Sequence, residues 1–205
     1  LFMSINTAKY QDFEKQGYKK IFGNSKEELY VDHQKYILSV KSSLPDHIEA
    51  FEVENKIIKT MIKESQKVIS LNCGNGILEM NLPQEVVAID NKKENIEDAT
   101  YNAKALGKDN IRFVYGDSLK KMVPFAKKKD YDTVIIRGIN RISDELKDTL
   151  RLGKVKTVIY VNSSTSMLAK DLQELSKYYK VVEIKAVDSH VYQSYVTSIV
   201  KLIKK

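Results

Sequence analysis

KVISLNCGNGILEMNLPQEVVAID, residues 67–90, is the stretch that decides the fold. KVISL is an apolar run of strand length, too short to be a helix on its own. CGNG breaks it and puts two glycines, Gly74 and Gly76, at the strand's carboxyl end. EVVAID then gives a second strand, which closes on Asp90. Working outward, KKENIEDATYNAKAL reads as a helix stopped by Gly107, and IRFVY as the next strand. SLKKMVPFAKK is helical with an interruption near Pro124, and YDTVIIRG is a strand. SDELKDTLRL is a helix ended by Gly153, KVKTVIYV a strand and LAKDLQELSKYY a helix. KVVEIKAVD and YVTSIVKLI are two final strands with no helix between them. Strands alternating with helices predict an α/β domain with a mostly parallel sheet covered on both faces. The last two strands predict an antiparallel hairpin at one edge.

Upstream the texture differs. Residues 1–17 look helical and polar, and YKKIF, ELYVD and KYILSV are short candidate strands. After the loop SSLPDH, a helix is expected from about Ile48 to Glu64, with Ile48, Phe51, Ile57, Ile58, Met61 and Ile62 at helical spacing. The expected division is a small α+β unit over residues 1–47 and the main domain over 48–205.

The chain has 205 residues, 42% hydrophobic and 30% charged, enough apolar material for a packed core. No run of about 18 apolar residues is available to span a membrane. LFMSINTAKY has no basic segment followed by an apolar one, so it does not read as a secretory signal. The single cysteine, Cys73, excludes an intrachain disulfide and a cysteine-rich zinc site, and an intracellular, reducing compartment is expected. His33, His47 and His190 lack metal-ligand spacing, so no metal is expected. Residues 1–66 balance 10 basic against 10 acidic side chains, and the net charge of +7 comes wholly from the remainder. A basic domain favours a polyanion such as RNA, against the plainer reading of a lysine-rich solvated surface. Lys120–Lys121, Lys127–Lys129 and Lys154–Lys156 are candidate phosphate contacts. Tyr178, Tyr179 and Tyr192 are candidates to stack on bases, with ordinary packing as the stronger alternative.

Ligands of open α/β sheets bind at strand carboxyl ends. That makes the turn Asn72, Gly74, Asn75 and Gly76 a candidate cofactor cradle. A dinucleotide site would want a third glycine near position 79; Glu79 stands there, and its carboxylate would repel a pyrophosphate. Asp90 can accept from both ribose hydroxyls of a nucleoside, and Asp117, in YGDS after the third strand, from an adenine amino group. Each acid also precedes an expected helix and could simply cap it.

With these motifs in place, the chain resembles the RNA uracil-5-methyltransferases, which make 5-methyluridine in tRNA and rRNA. The resemblance runs from about Tyr18 to Leu202 through IFGNSKEELYVDHQKYILSVKSSLPDH, LNCGNG, ATYNAKALGKDNIRFVYGD, YDTVII, VIYVNSSTSMLAKDL and VDSHVYQSYVTSIVKL. It implies a Rossmann-like class I fold dependent on S-adenosylmethionine (SAM), with a seven-stranded sheet. It also implies that residues 1–47 are a remnant of the family's central domain.

The family's reaction begins with a cysteine thiolate adding to C6 of uracil, and a glutamate later helps remove the C5 proton. By resemblance the nucleophile's position is Ser163, the base's is Thr197, and the family's Asp-Pro-Pro-Arg falls on Arg137, Gly138, Ile139 and Asn140. Asp46 takes the place of a glutamine, and Ser70 that of the acid closing the first strand. Ser163 to Ser166 are then expected to cap the helix that follows. A serine hydroxyl is un-ionised at neutral pH, so these exchanges predict a catalytically inactive methyltransferase fold. It would bind RNA (tRNA or rRNA) or a ribonucleoprotein, retain some SAM binding and have room for a protein partner. The cation Arg137 is expected to repel the sulfonium. The alternative is an active enzyme that uses other residues or a partner subunit.

Overall fold

The computed structural model describes residues 2–3, 19–127, 131–189 and 196–205. The helix expected over residues 1–17 lies outside them, apart from strand β1 (Phe2–Met3), which pairs with β2 (Lys19–Lys20). Helix α1 (Ile48–Met61) leads into strand β5 (Lys67–Leu71). The chain continues through α2 (Ile77–Met80), β6 (Glu85–Asp90), α3 (Lys93–Ala105), β7 (Ile111–Tyr115) and α4 (Ser118–Ala126). Then come β8 (Thr133–Ile136), α5 (Asp144–Leu152), β9 (Thr157–Asn162), α6 (Thr165–Leu175), β10 (Tyr179–Val187) and β11 (Thr197–Lys204).

The seven strands lie in the order β10-β11-β9-β8-β5-β6-β7. All neighbours are parallel except those of β11, which runs antiparallel to both β9 and β10. This is the expected Rossmann-like sheet with its edge hairpin. Alternate residues of the same strands feed two cores. Ile69, Val87, Val134 and Val158 face α4, α5 and α6, while Val68, Val86, Ile135 and Ile159 face α1. Both faces being covered is why the strands read as continuous apolar runs.

The helix ends follow local chemistry. After α3, Gly107 takes φ 64°, its N–H reaches Lys104 O, and the Lys108 N–H reaches Ala103 O. That pair of bonds is a Schellman closure, which needs a residue tolerant of left-handed backbone. Gly153 closes α5 for a different reason: its φ is −74°, and an added Cβ would sit 2.7 Å from Thr149 O and 2.9 Å from Ala126 O. Pro124 lies inside α4, in its last turn, without ending the helix. Helix α2 follows directly from the glycine turn and was not expected from the sequence.

Strands β3 (Lys26–Val31) and β4 (Gln34–Ser39) form a hairpin. Its two-residue turn puts both Asp32 (φ 47°) and His33 (φ 64°) in left-handed backbone. The hairpin packs on α3. Asn102 imitates a strand: its side chain accepts from Ile37 N at 2.8 Å and donates to Ile37 O at 2.8 Å. Asp98 accepts from Ser39 N and Ser39 Oγ at 2.6 and 2.7 Å. Val31 and Tyr36 share a core with Ile77, Met80 and Ala103. Among the described residues, no helix is long and apolar enough to cross a membrane.

Candidate functional site

Two cavities open at the carboxyl edge of the sheet, and both are lined by Gly138, just past β8. β5 and β8 are adjacent strands whose connections leave in opposite directions, and crevices at such switch points hold ligands.

The first cavity, about 810 Å³, is lined by Val40–Ser43, Asn72, Gly74, Asp90–Asn95, Tyr115 and Gly138. Gly74 has φ 60° and nothing within 4 Å of the direction a Cβ would take, so the backbone there faces open space. Asn72, also left-handed (φ 53°), donates through Nδ2 to Arg137 O at 2.9 Å and accepts from Ser118 Oγ at 2.7 Å. Asp90 is buried at the cavity wall and carries the turn: it accepts from Gly74 N at 2.8 Å, Lys92 N at 2.8 Å and Asn95 Nδ2 at 3.1 Å.

The other three candidate cofactor residues do not line either cavity. Asn75 is buried and donates to Ser43 O at 2.7 Å. Gly76 is set by packing, since an added Cβ would lie 2.5 Å from the Phe113 ring. Asp117 caps α4, accepting from Lys120 N at 2.9 Å.

The second cavity, about 630 Å³, is walled by Pro45–His47, Phe51 and Glu54, by Arg137–Asn140, by Val161–Ser164 and by Ser189 and Thr197. Sheet register builds its centre. Ser198 pairs with Asn162 across β11 and β9, so the next positions, Thr197 and Ser163, come side by side. Their hydroxyls are 3.3 Å apart, and Thr197 Oγ1 lies 2.5 Å from Ser189 Oγ. Asn162 shapes the rim: its Nδ2 donates to Ile139 O, Asn140 O and Tyr160 Oη, and its Oδ1 accepts from Ser164 N.

The expectation that Ser163–Ser166 cap α6 finds no side-chain cap. Ser164 occupies the N-cap position without a capping bond, Ser163 turns to Thr197, and Ser164 and Ser166 face one another at 3.4 Å.

Arg137 does not extend into open solvent. Its Nη2 lies 2.9 Å from Glu79 Oε1 and 3.4 Å from Cys73 O, and its side chain is 14% exposed. Ser70 Oγ donates to the same Glu79 oxygen at 2.6 Å. Ser70, Glu79 and Arg137 therefore form one buried cluster beneath the glycine turn, a unit that no local sequence signal announces because its members are far apart in the chain. Cys73 is buried in the same turn. Desolvation, then the nearby Glu79 and Asp90, push its thiol well above the usual cysteine range. Such a thiol stays protonated and unreactive at neutral pH.

The candidate nucleic-acid contacts scatter. Tyr179 is core, its hydroxyl donating to Leu150 O and Val155 O at 3.1 Å. Tyr178 is exposed, with Arg151 over its ring at 5.8 Å. Lys154 and Lys156 precede β9, at the sheet edge opposite both cavities. The side chain of Lys121 lies against Gly116. Tyr192, His190 and Lys128–Lys129 lie outside the described residues. Among the described residues, no cluster of His, Cys, Asp or Glu is placed to hold a metal.

The profile of a methyltransferase domain matches residues 62–202. The chain belongs to the methyltransferase domain family. Curated relatives of this methyltransferase-domain protein include an uncharacterized RNA methyltransferase of Bacillus cereus, 32% identical over 146 residues. That match covers 69% of this chain and 32% of the relative. An uncharacterized RNA methyltransferase of Streptococcus pneumoniae is 27% identical over 211 residues, covering 99% of this chain and 47% of the relative. The chain thus spans a third to a half of the length of these relatives. Among solved structures, the Pyrococcus abyssi tRNA (uracil-54, C5)-methyltransferase in complex with S-adenosyl-L-homocysteine superposes with a TM-score of 0.82 at 20% identity. It is matched over 98% of this chain and 50% of that one. M. jannaschii TYW2 in complex with AdoMet superposes with a TM-score of 0.65 at 14% identity, over 92% and 91%. At these identities the likeness is one of fold.

Proposed function

We propose that this methyltransferase-domain protein binds RNA, alone or within a ribonucleoprotein, at the edge that carries the two cavities, and does not methylate uracil at C5. The observation that carries the reading is the pairing of Ser163 and Thr197 hydroxyls 3.3 Å apart in the second cavity. Methylation at C5 of uracil requires a nucleophile that adds to C6 and a base that later removes the C5 proton. Neither hydroxyl ionises at neutral pH. The one thiol of the chain is Cys73, buried in a different turn with its proton held tightly. The RNA methyltransferase relatives and the net charge of +7 favour RNA as partner.

SAM would supply a methyl group when bound. Asn72, Gly74 and Asp90 would hold it, a reading supported by their lining one cavity that Gly74 leaves open.

The reading is tested with RNA containing 5-fluorouridine, incubated with the protein and SAM. No covalent protein–RNA adduct should form, and a stable adduct would overturn the reading. RNA affinity should fall steeply with added salt, because phosphate contacts release counterions. A flat response would remove RNA as the direct partner.

A second reading, an active methyltransferase that uses other residues, is favoured by one observation: Asp46, His47 and Glu54 line the same cavity as Ser163. They are ionisable groups that could take a proton from a nitrogen or oxygen nucleophile with no covalent step. Methylated nucleosides detected by mass spectrometry in RNA treated with the pure protein would establish it.

A further inference from the structure

The second cavity and the chain that holds it differ in charge. The chain carries +7, yet the acids Asp46 and Glu54 line this cavity. Among the described residues, its lining has one arginine and no lysine. That arginine, Arg137, is neutralised by the fully buried Glu79. A phosphate is disfavoured beside two carboxylates. A flat ring is not, because Pro45, Phe51, Ile139 and Val161 supply apolar walls. Such a cavity suits an RNA base drawn out of its strand, with the phosphates left on the basic surface outside.

The side-chain donors of the cavity are largely spent. Asn162 Nδ2 has two hydrogens for three acceptors, Ile139 O, Asn140 O and Tyr160 Oη, at 3.2, 3.1 and 2.7 Å. Arg137 Nη2 turns to Glu79 Oε1 and Cys73 O, and Arg137 Nε is buried. Ser163, Thr197 and Ser189 bond to one another. The acceptors are not spent. His47, Phe51 and Glu54, at i, i+4 and i+7, share one face of α1 and its N-cap, which brings Glu54 to the cavity wall. Glu54 makes no hydrogen bond or ion pair among the described residues. Asp46 adds a second carboxylate from the loop that enters α1. His47 and Asn140 are exposed, and each offers a donor and an acceptor alike.

Uracil presents two carbonyls flanking a single N–H, so a carboxylate that meets its edge faces two acceptors for one donor. Guanine, adenine and cytosine each carry an amino group from which a carboxylate accepts. We propose that the second cavity takes an extruded RNA base whose Watson–Crick edge carries an amino group, that Glu54, aided by Asp46, accepts from that group, and that uracil is the base it rejects. Guanine is the strongest ligand, since its N1–H and its N2 amino group are adjacent donors that match the two oxygens of one carboxylate. The inference rests on the RNA reading of the cavity edge and deepens it by naming the base. It accords with the hydroxyls at Ser163 and Thr197: a cavity that does not hold uracil has no use for a group that adds to its C6.

The test is fluorescence anisotropy of the full chain with short, labelled, single-stranded oligouridines whose central position is guanosine, inosine, adenosine, cytidine or uridine. The guanosine strand should bind at least about fivefold tighter than the uridine strand, the lower end of what a matched contact to a base edge discriminates. Inosine differs from guanosine only in lacking the N2 amino group, and should lose most of that gain. Adenosine and cytidine, whose amino group is flanked by an acceptor, should fall between. Glu54→Gln keeps the side chain's shape and puts a donor in place of one acceptor oxygen, so it should bring the guanosine-to-uridine ratio to within about twofold. Asp46→Asn should narrow the ratio less. Both residues lie at the protein surface, and an unchanged melting temperature identifies a folded variant. Uridine binding as tightly as guanosine, inosine matching guanosine, or a ratio that survives in the folded Asp46→Asn, Glu54→Gln double variant overturns the proposal and leaves the RNA reading standing. If none of the strands binds, the RNA reading itself falls, a different failure from the first.

Discussion

The two cavities share a wall at Gly138 and differ in what their residues are for. In the first, the candidate ligand contacts also hold the protein together. Asp90 ties the glycine turn to the start of α3, and Asn72 ties it to β8 and α4. In the second, the positions that resemblance equates with nucleophile and base are occupied by hydroxyls that bond mainly to one another. A residue with a structural job resists replacement whether or not the chemistry is still in use. A residue whose only work is chemistry does not. The presence of Asp90 and Asn72 is therefore weaker evidence for a bound cofactor than the motif suggests.

The largest expected effect tests this contrast directly. Asp90→Ala removes a buried carboxylate and strands three donors, so it should destabilise the fold by about 3 kcal/mol in urea or guanidinium titration. A loss below about 1 kcal/mol, inside the range of ordinary surface changes, would mean that Asp90 is there for a ligand and would break the comparison.

Reactivity gives the next contrast. Cys73 is 4% exposed with a raised pKa, whereas Ser163 borders an open cavity. In the Ser163→Cys protein at pH 8, iodoacetamide should label the new thiol at least about tenfold faster than Cys73, whose thiolate fraction and access are both low. The wild-type chain should label only on denaturation. Rapid labelling of native wild-type protein would show that the glycine turn opens, and would restore Cys73 as a candidate nucleophile.

The sequence made the sheet legible because its signals are local. Strands of apolar residues and a glycine after α3 each speak through neighbours a few positions away. Asp32–His33 hid its turn because neither residue is glycine, and α2 is a single turn with too few residues to show a period. The parts of the site that sequence missed are distant in the chain. Arg137 and Glu79 are 58 positions apart, and each alone suggested a conflict: a carboxylate where a phosphate would go, a cation where a sulfonium would go. Only together do they form an ion pair. Ser163 and Thr197 meet through the register of β9 and β11, Ser189 reaches Thr197 from the end of β10, and Asp46, His47 and Glu54 join them across the fold from the start of α1.

Lysines extend the same lesson to the opposite edge of the sheet. Lys201 donates to Met61 O at the end of α1, Lys204 to Leu150, Arg151 and Gly153 carbonyls at the end of α5, and Lys205 to Ser176 O at the end of α6. Cations there complete helix C-termini and oppose the negative end of the dipole. Part of the chain's positive charge is thus structural. Lys204→Met should cost about 1 kcal/mol of stability while leaving RNA affinity and its salt dependence unchanged. A clear loss of RNA binding would place the contact surface at this edge instead of the cavity edge.

The smallest effect carries the most about history. Ser163→Ala removes a half-exposed hydroxyl whose one protein partner, Thr197, keeps its bond to Ser189. Because no buried donor is stranded, stability should change by less than about 0.5 kcal/mol. RNA affinity should stay within about twofold of wild type, since the phosphate contacts that dominate affinity are untouched. A position central to catalysis in an active enzyme is one where such a change abolishes turnover. Here near-silence in both measurements is the expected outcome. Any methyl transfer that Ser163→Ala removes would show instead that the hydroxyl still takes part in a reaction, and the contrast between the two cavities would then be one of chemistry changed rather than chemistry lost.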